Sequence, residues 1–183
     1  MKKHILNKDE ALLLIIDIQE KLSSVMKHKE KVVDNTLILL EASKQMNMPV
    51  IITEQYPKGI GYTVDEIKSN IDEDVKIFEK TSFTGYTDEV KLALEMAGRE
   101  KIIITGMETH ICVLQTARDL IDNGYEVFIA RDGVCSRTKD SFANALELMR
   151  DMGAVITNTE TIVFDLLKVS GTPEFKVLSK LIK

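Results

Sequence analysis

Three residues of this chain could together make an activated nucleophile: the carboxyl group of Asp17, the ammonium of Lys80 and the thiol of Cys112. The thiolate is the attacking form of a cysteine, and a neighbouring cation favours it by Coulomb attraction. A carboxylate at the same place can take the thiol proton and hand it to a leaving group. The setting of Cys112 suits this chemistry. Lys101–Leu120 reads KIIITGMETHICVLQTARDL, with a strand over Ile102–Thr105, a turn at Gly106 and a helix starting near Cys112. In that helix Val113, Ala117, Leu120 and Ile121 share one apolar face. Unpaired N–H groups at a helix start stabilise an anion, so the Cys112 thiol is expected to ionise more easily than a free one. The same N–H groups could receive a developing oxyanion. Taken singly, each residue has a plainer reading: a free Cys is most often core packing, and strand-end charges are most often a solvated rim.

The surrounding elements decide whether the three can meet. Ala11–Asp17 (ALLLIID) is an apolar run ending on a carboxylate, which suits the interior of a parallel sheet covered on both faces. A helix over Glu30–Asn47, with Val33, Leu37 and Leu40 on one stripe, leads to a second strand at Val50–Thr53. The loop Glu54–Thr63, EQYPKGIGYT, is long enough to line a site. Val64–Asn70 reads as a short helix and Val75–Glu79 as a third strand, ending at Lys80. Thr87 has the character of an N-cap and Gly98 of a helix stop. Tyr125–Ala130 follows as a fifth strand, then an amphipathic helix (Phe142, Ala145, Leu146, Met149) closed by Gly153. Ala154–Thr157 makes a sixth strand before a helical C-terminal part broken near Gly171–Pro173.

Strand–helix alternation of this kind predicts one α/β domain over residues 1–183: a three-layer α/β/α, Rossmann-like fold with a six-stranded parallel sheet in the order 3-2-1-4-5-6. Ligands in such sheets bind beyond the carboxyl ends of the strands. Asp17, Lys80 and Cys112 all fall at that edge, and strands 1 and 4 become neighbours. The convergence favours a site over three unrelated groups.

Composition narrows the partners. Hydrophobic residues make up 44% and charged residues 29%, the balance of a folded globular chain. A net charge of −5, with no Lys/Arg-rich tract, argues against a nucleic-acid or anionic-membrane binder. The longest apolar run near the N-terminus, Ala11–Ile16, is strand-sized, so neither a signal peptide nor a transmembrane helix is expected. Two Cys without a spacing motif read as free thiols in a cytoplasmic protein.

The segments LLLIIDIQE (Asp17, Gln19), FEKTSF (Lys80), ITGMETHICVLQTARDL (Cys112) and RDGVCSR (Asp132, Arg137) resemble, in order and spacing, the isochorismatase-like cysteine hydrolases. The likeness runs from about Leu12 to Phe164. TEQYPKGIG (Thr53–Gly61) and ETHICV point to the isochorismatase-domain-containing proteins within that family. The resemblance implies Cys112 as nucleophile, Asp17 as general base and then acid, and Lys80 as the positioning and polarising group. It maps the family's non-proline cis peptide onto Met107–Glu108, which would aim the Glu108 and Cys112 backbone N–H groups at an oxyanion. One departure matters. The family's nicotinamidases carry an Asp-x-His-type metal site after the second strand, where this chain reads EQYPKG. His4, His28 and His110 are not spaced as a ligand set, which counts against a metal site and against nicotinamidase activity. Residues suited to a dicarboxylate such as isochorismate are not evident either.

By loop position and family analogy, Gln19, Tyr56 and Phe83 line the substrate pocket, although Tyr56 and Phe83 suit packing or subunit contact equally well. His110 either touches substrate or caps the turn. Cys135 reads as a small buried residue in the loop after the fifth strand. The expected protein is a cofactor-free, amidase-type hydrolase of a small-molecule amide, ester or related C–N or C–O bond, homo-oligomeric like its family. The competing readings are a silent binding or scaffolding protein of the same fold and a reversible thiol sensor, the latter without a nearby resolving Cys.

Overall fold

The computed structural model describes residues 4–182. Six strands form one parallel sheet: β1 (Ala11–Ile16), β2 (Val50–Gln55), β3 (Lys76–Lys80), β4 (Lys101–Met107), β5 (Glu126–Cys135) and β6 (Val155–Thr157). Their order is β3-β2-β1-β4-β5-β6, as the alternation of elements predicts. β1 explains the unbroken apolar run. Leu13 and Ile15 pack with Val32, Leu39, Ile162 and Val163 on one face, whereas Leu12, Leu14 and Ile16 pack with Val90, Leu94, Ala117 and Met149 on the other. The first face is covered by α2 (Lys29–Met46), α8 (Thr159–Leu167) and α9 (Pro173–Leu178), the second by α5 (Asp88–Ala97), α6 (Leu114–Asp122) and α7 (Lys139–Asp151). Because successive side chains of a strand alternate between faces, a central strand covered twice has no polar position to spare.

Three short helices punctuate the connections: α1 (Glu20–Ser24), α3 (Pro57–Ile60) and α4 (Asp65–Lys68). Thr87 caps α5 by accepting from the Val90 N–H, and Gly98 closes that helix in the left-handed region. Thr172 caps α9 after the break at Gly171. Among the described residues no helix is long and apolar enough to cross a membrane.

Two local features differ from the expectation, and both bear on the site. β5 runs on to Cys135 instead of stopping at Ala130, because a bulge near Arg131–Gly133 lets five steps of β5 match two of β4. Cys135 therefore lies in the strand, opposite Met107, and not in a loop. The helix that carries Cys112 begins as one π-helical turn, Thr109–Val113, before continuing as α6. The sharp entry into this turn depends on Gly106 (φ +133), which passes so close to β1 that a Cβ there would collide with the Ile16 carbonyl.

Candidate active site

Strand register brings the three groups to one place. Ile16 pairs with both Thr53 and Gly106, and Gln55 pairs with Lys80, so the ends of β1, β2, β3 and β4 are level. Asp17, one residue past β1 at φ +51, projects from this edge and is fully buried. Its Oδ2 accepts from Lys80 Nζ at 2.7 Å and its Oδ1 from the Thr53 hydroxyl at 2.7 Å. Lys80 Nζ also donates to Gln55 Oε1 (2.8 Å) and to the Ser82 and Phe83 carbonyls (both 3.2 Å). A buried ion pair is tolerated only where its remaining donors and acceptors are satisfied, as they are here.

Cys112 completes the group: 5% of its surface is exposed, and the charges of Asp17 and Lys80 both act on its thiol. Its ionisation departs from the expectation of an easily formed thiolate. Burial, then the Asp17 charge, push the thiol up to about 12; Lys80 opposes this, while the charge of Glu108 adds to it. Loss of hydration outweighs the helix start because Cys112 lies inside the π turn, packed with Val113 and Ile16, and not at an exposed terminus. The resting group is thus a thiol beside a carboxylate–ammonium pair.

The flanking residues divide into those that reach the rim and those used elsewhere. Tyr56 and Phe83 are 54% and 56% exposed, and both backbones attach to Lys80: the Tyr56 N–H donates to the Lys80 carbonyl, and the Phe83 carbonyl accepts from Lys80 Nζ. Tyr56 takes the left-handed conformation, and its ring lies against Gly59, where no Cβ would fit. Gln19 differs from the expectation of a substrate contact. It is fully buried, and its amide is spent on the backbone: Nε2 donates to the Gln55 and Gly61 carbonyls, and Oε1 accepts from the Gln55 N–H. It staples the loop after β2 to the end of β1. Gln19→Ala should therefore act mainly on stability, with a loss of about 2–3 kcal/mol from buried groups left unpaired, read from denaturant midpoints.

The Met107–Glu108 peptide is cis. The Glu108 carbonyl accepts from the Ile111 and Val113 N–H groups, and its buried carboxylate accepts from the Arg137 backbone N–H (3.0 Å) and Nε (3.1 Å). His110, half-buried, places Nδ1 2.9 Å from the Ser136 hydroxyl. Cys135 is buried and its thiol is likewise pushed up to about 12 by burial, then by the charge of Glu108. Among the described residues no three His, Cys, Asp or Glu side chains converge as a metal-ligand set.

Sequence reasoning missed Thr53, Gln55 and Thr116. Thr116 ties the Cys112 carbonyl (2.6 Å) to the Gly85 N–H (2.7 Å), joining α6 to the loop after β3. Thr53 and Gln55 had a findable signal: in the order 3-2-1 the end of β2 must lie between Asp17 and Lys80.

Known proteins agree with this architecture. The family model described as the isochorismatase domain matches residues 11–161. A secreted isochorismatase effector, Isc1, of Phytophthora sojae is 40% identical over 94% of this chain and 84% of its own length. Isochorismatase domain-containing protein 2 of Xenopus laevis is 37% identical over 97% of this chain and 85% of its own. Among solved structures, one titled as the MAR1 ribonuclease of Caenorhabditis elegans superposes with a TM-score of 0.93 at 34% identity, covering 97% of this chain and 92% of that one. With the domain matched from β1 into α8 and relatives alike over nearly their whole length, the chain belongs to the isochorismatase family of hydrolase-fold proteins.

Proposed function

We propose that the protein is a cysteine hydrolase that opens a small amide or ester through a thioester on Cys112, with no metal or other cofactor taking part. The observation that carries this reading is the fully buried Asp17–Lys80 ion pair at the carboxyl edge of the sheet, whose charges act on the buried Cys112 thiol. Because the thiol rests protonated, the reaction begins with proton transfer concerted with attack. Sγ bonds to the substrate carbonyl carbon as its proton moves to Asp17. The carbonyl oxygen becomes an oxyanion, received by the backbone N–H groups of Glu108 and Cys112. Collapse breaks the C–N or C–O bond, and the leaving group departs with the proton from Asp17. A water molecule then attacks the thioester, giving a proton to Asp17. Sγ leaves with that proton, so the acid product is released and the thiol restored. Lys80 anchors Asp17 throughout and keeps its carboxylate aimed at Cys112. Tyr56 and Phe83, exposed and tied to Lys80 through their backbones, cover the body of the substrate, and His110, two residues before Cys112, touches it.

The test is a panel of activated small esters and anilides followed by intact-protein mass spectrometry at short times. The expected result is one acyl adduct on Cys112, absent from Cys112→Ala, with turnover lost in that variant and its thermal midpoint close to the parent's. Turnover that survives Cys112→Ala overturns the reading; no adduct and no turnover across the panel leaves a binding protein of the same fold as the better description.

A further inference from the structure

On the same edge of the sheet as Cys112, past the ends of β5 and β6, lies an open cleft of about 1210 Å³ with Cys135 in its lining. Its walls come from four stretches: the turn before α2 with that helix's first turn, the β5–α7 segment, one face of α7 and the end of β6. They bring together Lys27, Lys31, Arg131, Arg137, Lys139 and Arg150, against only two carboxylates, Asp132 and Glu147. For a chain of net charge −5 this is a strong local inversion of sign. Among the described residues, Arg137 alone of the six cations is in an ion pair, through Nε to Glu108. Asp132 is already engaged, accepting from the Thr159 N–H and hydroxyl at 2.9 Å each, and so caps α8 instead of neutralising the cleft. α2 enters the cleft through His28, an N-cap that makes no side-chain capping bond, so the positive end of an 18-residue helix adds to the field. The floor is apolar: Val32, Val134, Phe142, Leu146 and Ile156.

We propose that this cleft binds a small phosphorylated molecule, with its phosphate or diphosphate on Lys27, Lys31 and Arg131, where the start of α2 meets the β5 bulge through Asn35 and the Asp132 carbonyl (3.3 Å), and an aromatic or aliphatic body on the Phe142 floor. Uncompensated cations cost self-repulsion unless an anion meets them, and several converging on one cleft match a multivalent group better than a single carboxylate. The apolar floor requires that the ligand be more than an inorganic anion. The site is distinct from the buried trio and independent of the role given to Cys112. It shares one wall with it, since Ser136 and Arg137 line the cleft while bonding His110 and Glu108.

The experiment is titration calorimetry of the full chain with ADP and with inorganic pyrophosphate, in the parent and in Arg131→Ala, Lys31→Ala and Phe142→Ala. Both probes should bind, ADP about tenfold more tightly, and both should weaken as salt rises from about 50 to about 300 mM. Each of the Arg131 and Lys31 substitutions should cost about tenfold for both probes, since each removes a charge-assisted contact, while Phe142→Ala should weaken ADP and spare pyrophosphate. Far-UV circular dichroism and a thermal midpoint verify that each variant is folded. Three outcomes overturn the proposal. Neither probe binds at millimolar concentration, or binding is indifferent to Arg131 and Lys31. The Arg131 and Lys31 variants change the oligomeric state, in which case the cleft is an interface between copies. A single-stranded oligonucleotide binds far more tightly than ADP, in which case the face is a nucleic-acid surface.

Discussion

Asp17→Asn should lower turnover by about 10²–10⁴-fold, the usual worth of a positioned general base, while moving the alkylation profile of Cys112 to lower pH. The two effects run in opposite directions because Asp17 does two things to one thiol. As a base it is the group to which the proton goes. As a buried negative charge it holds that proton on sulfur, by Coulomb repulsion of the thiolate. Asparagine removes the charge and the basicity with little change of volume. The sign is fixed by the order of causes: burial, the largest, persists, so the thiol stays above its ordinary range, but the Asp17 charge, the second, is gone. Iodoacetamide reacts with the thiolate, so its rate against pH reads the inflection directly. A variant with unchanged turnover would remove Asp17 from the mechanism. A profile displaced upward would refute the electrostatic account of the buried thiol.

The part of this site legible in the sequence was its address. Runs such as ALLLII, apolar at every position, suit the interior of a doubly covered sheet. Once six strands alternate with helices, the sheet order places Asp17, Lys80 and Cys112 on one edge. Register then levels the strand ends, and that too follows from parallel pairing of strands of similar length. What the sequence could not convey was depth. The helix start near Cys112 suggests a stabilised thiolate, yet whether burial or the helix terminus dominates depends on how closely Ile16, Val113 and their neighbours surround the sulfur. Gln19 shows the same limit: a glutamine two residues beyond a strand end serves equally as a substrate contact or a loop staple, and only the positions of the Gln55 and Gly61 backbones decide. Arg131, Asp132 and Gly133 look like the end of a strand, so the bulge that carries β5 on to Cys135 was hidden. The basic cleft escaped for a different reason. Its cations are contributed by positions 27, 31, 131, 137, 139 and 150, so no local tract exists for a charge scan to detect.

Lys80→Met should be the most damaging single change to stability, with a loss of about 3–5 kcal/mol, as for a broken buried ion pair. The lysine ammonium has four acceptors: Asp17, Gln55 and the carbonyls of Ser82 and Phe83. Methionine fills most of the volume but answers none of them, and Asp17 is left as a fully buried carboxylate supported only by the Thr53 hydroxyl and its other neighbours of fixed dipole. Because the cost comes from the orphaned charge more than from the lost attraction, Asp17→Asn placed on top of Lys80→Met should restore much of the stability. The cycle of single and double variants, followed by urea midpoints at constant slope, measures that coupling. Chemistry gives a second readout. Lys80 is the one group holding the Cys112 thiol down, so its loss should push the alkylation profile further up, opposite to Asp17→Asn. A structural prop with no part in the relay would lower stability and leave that profile where it was. Opposite displacements from the two halves of one ion pair, with neither restoring turnover when they are combined, are what a single coupled unit must give.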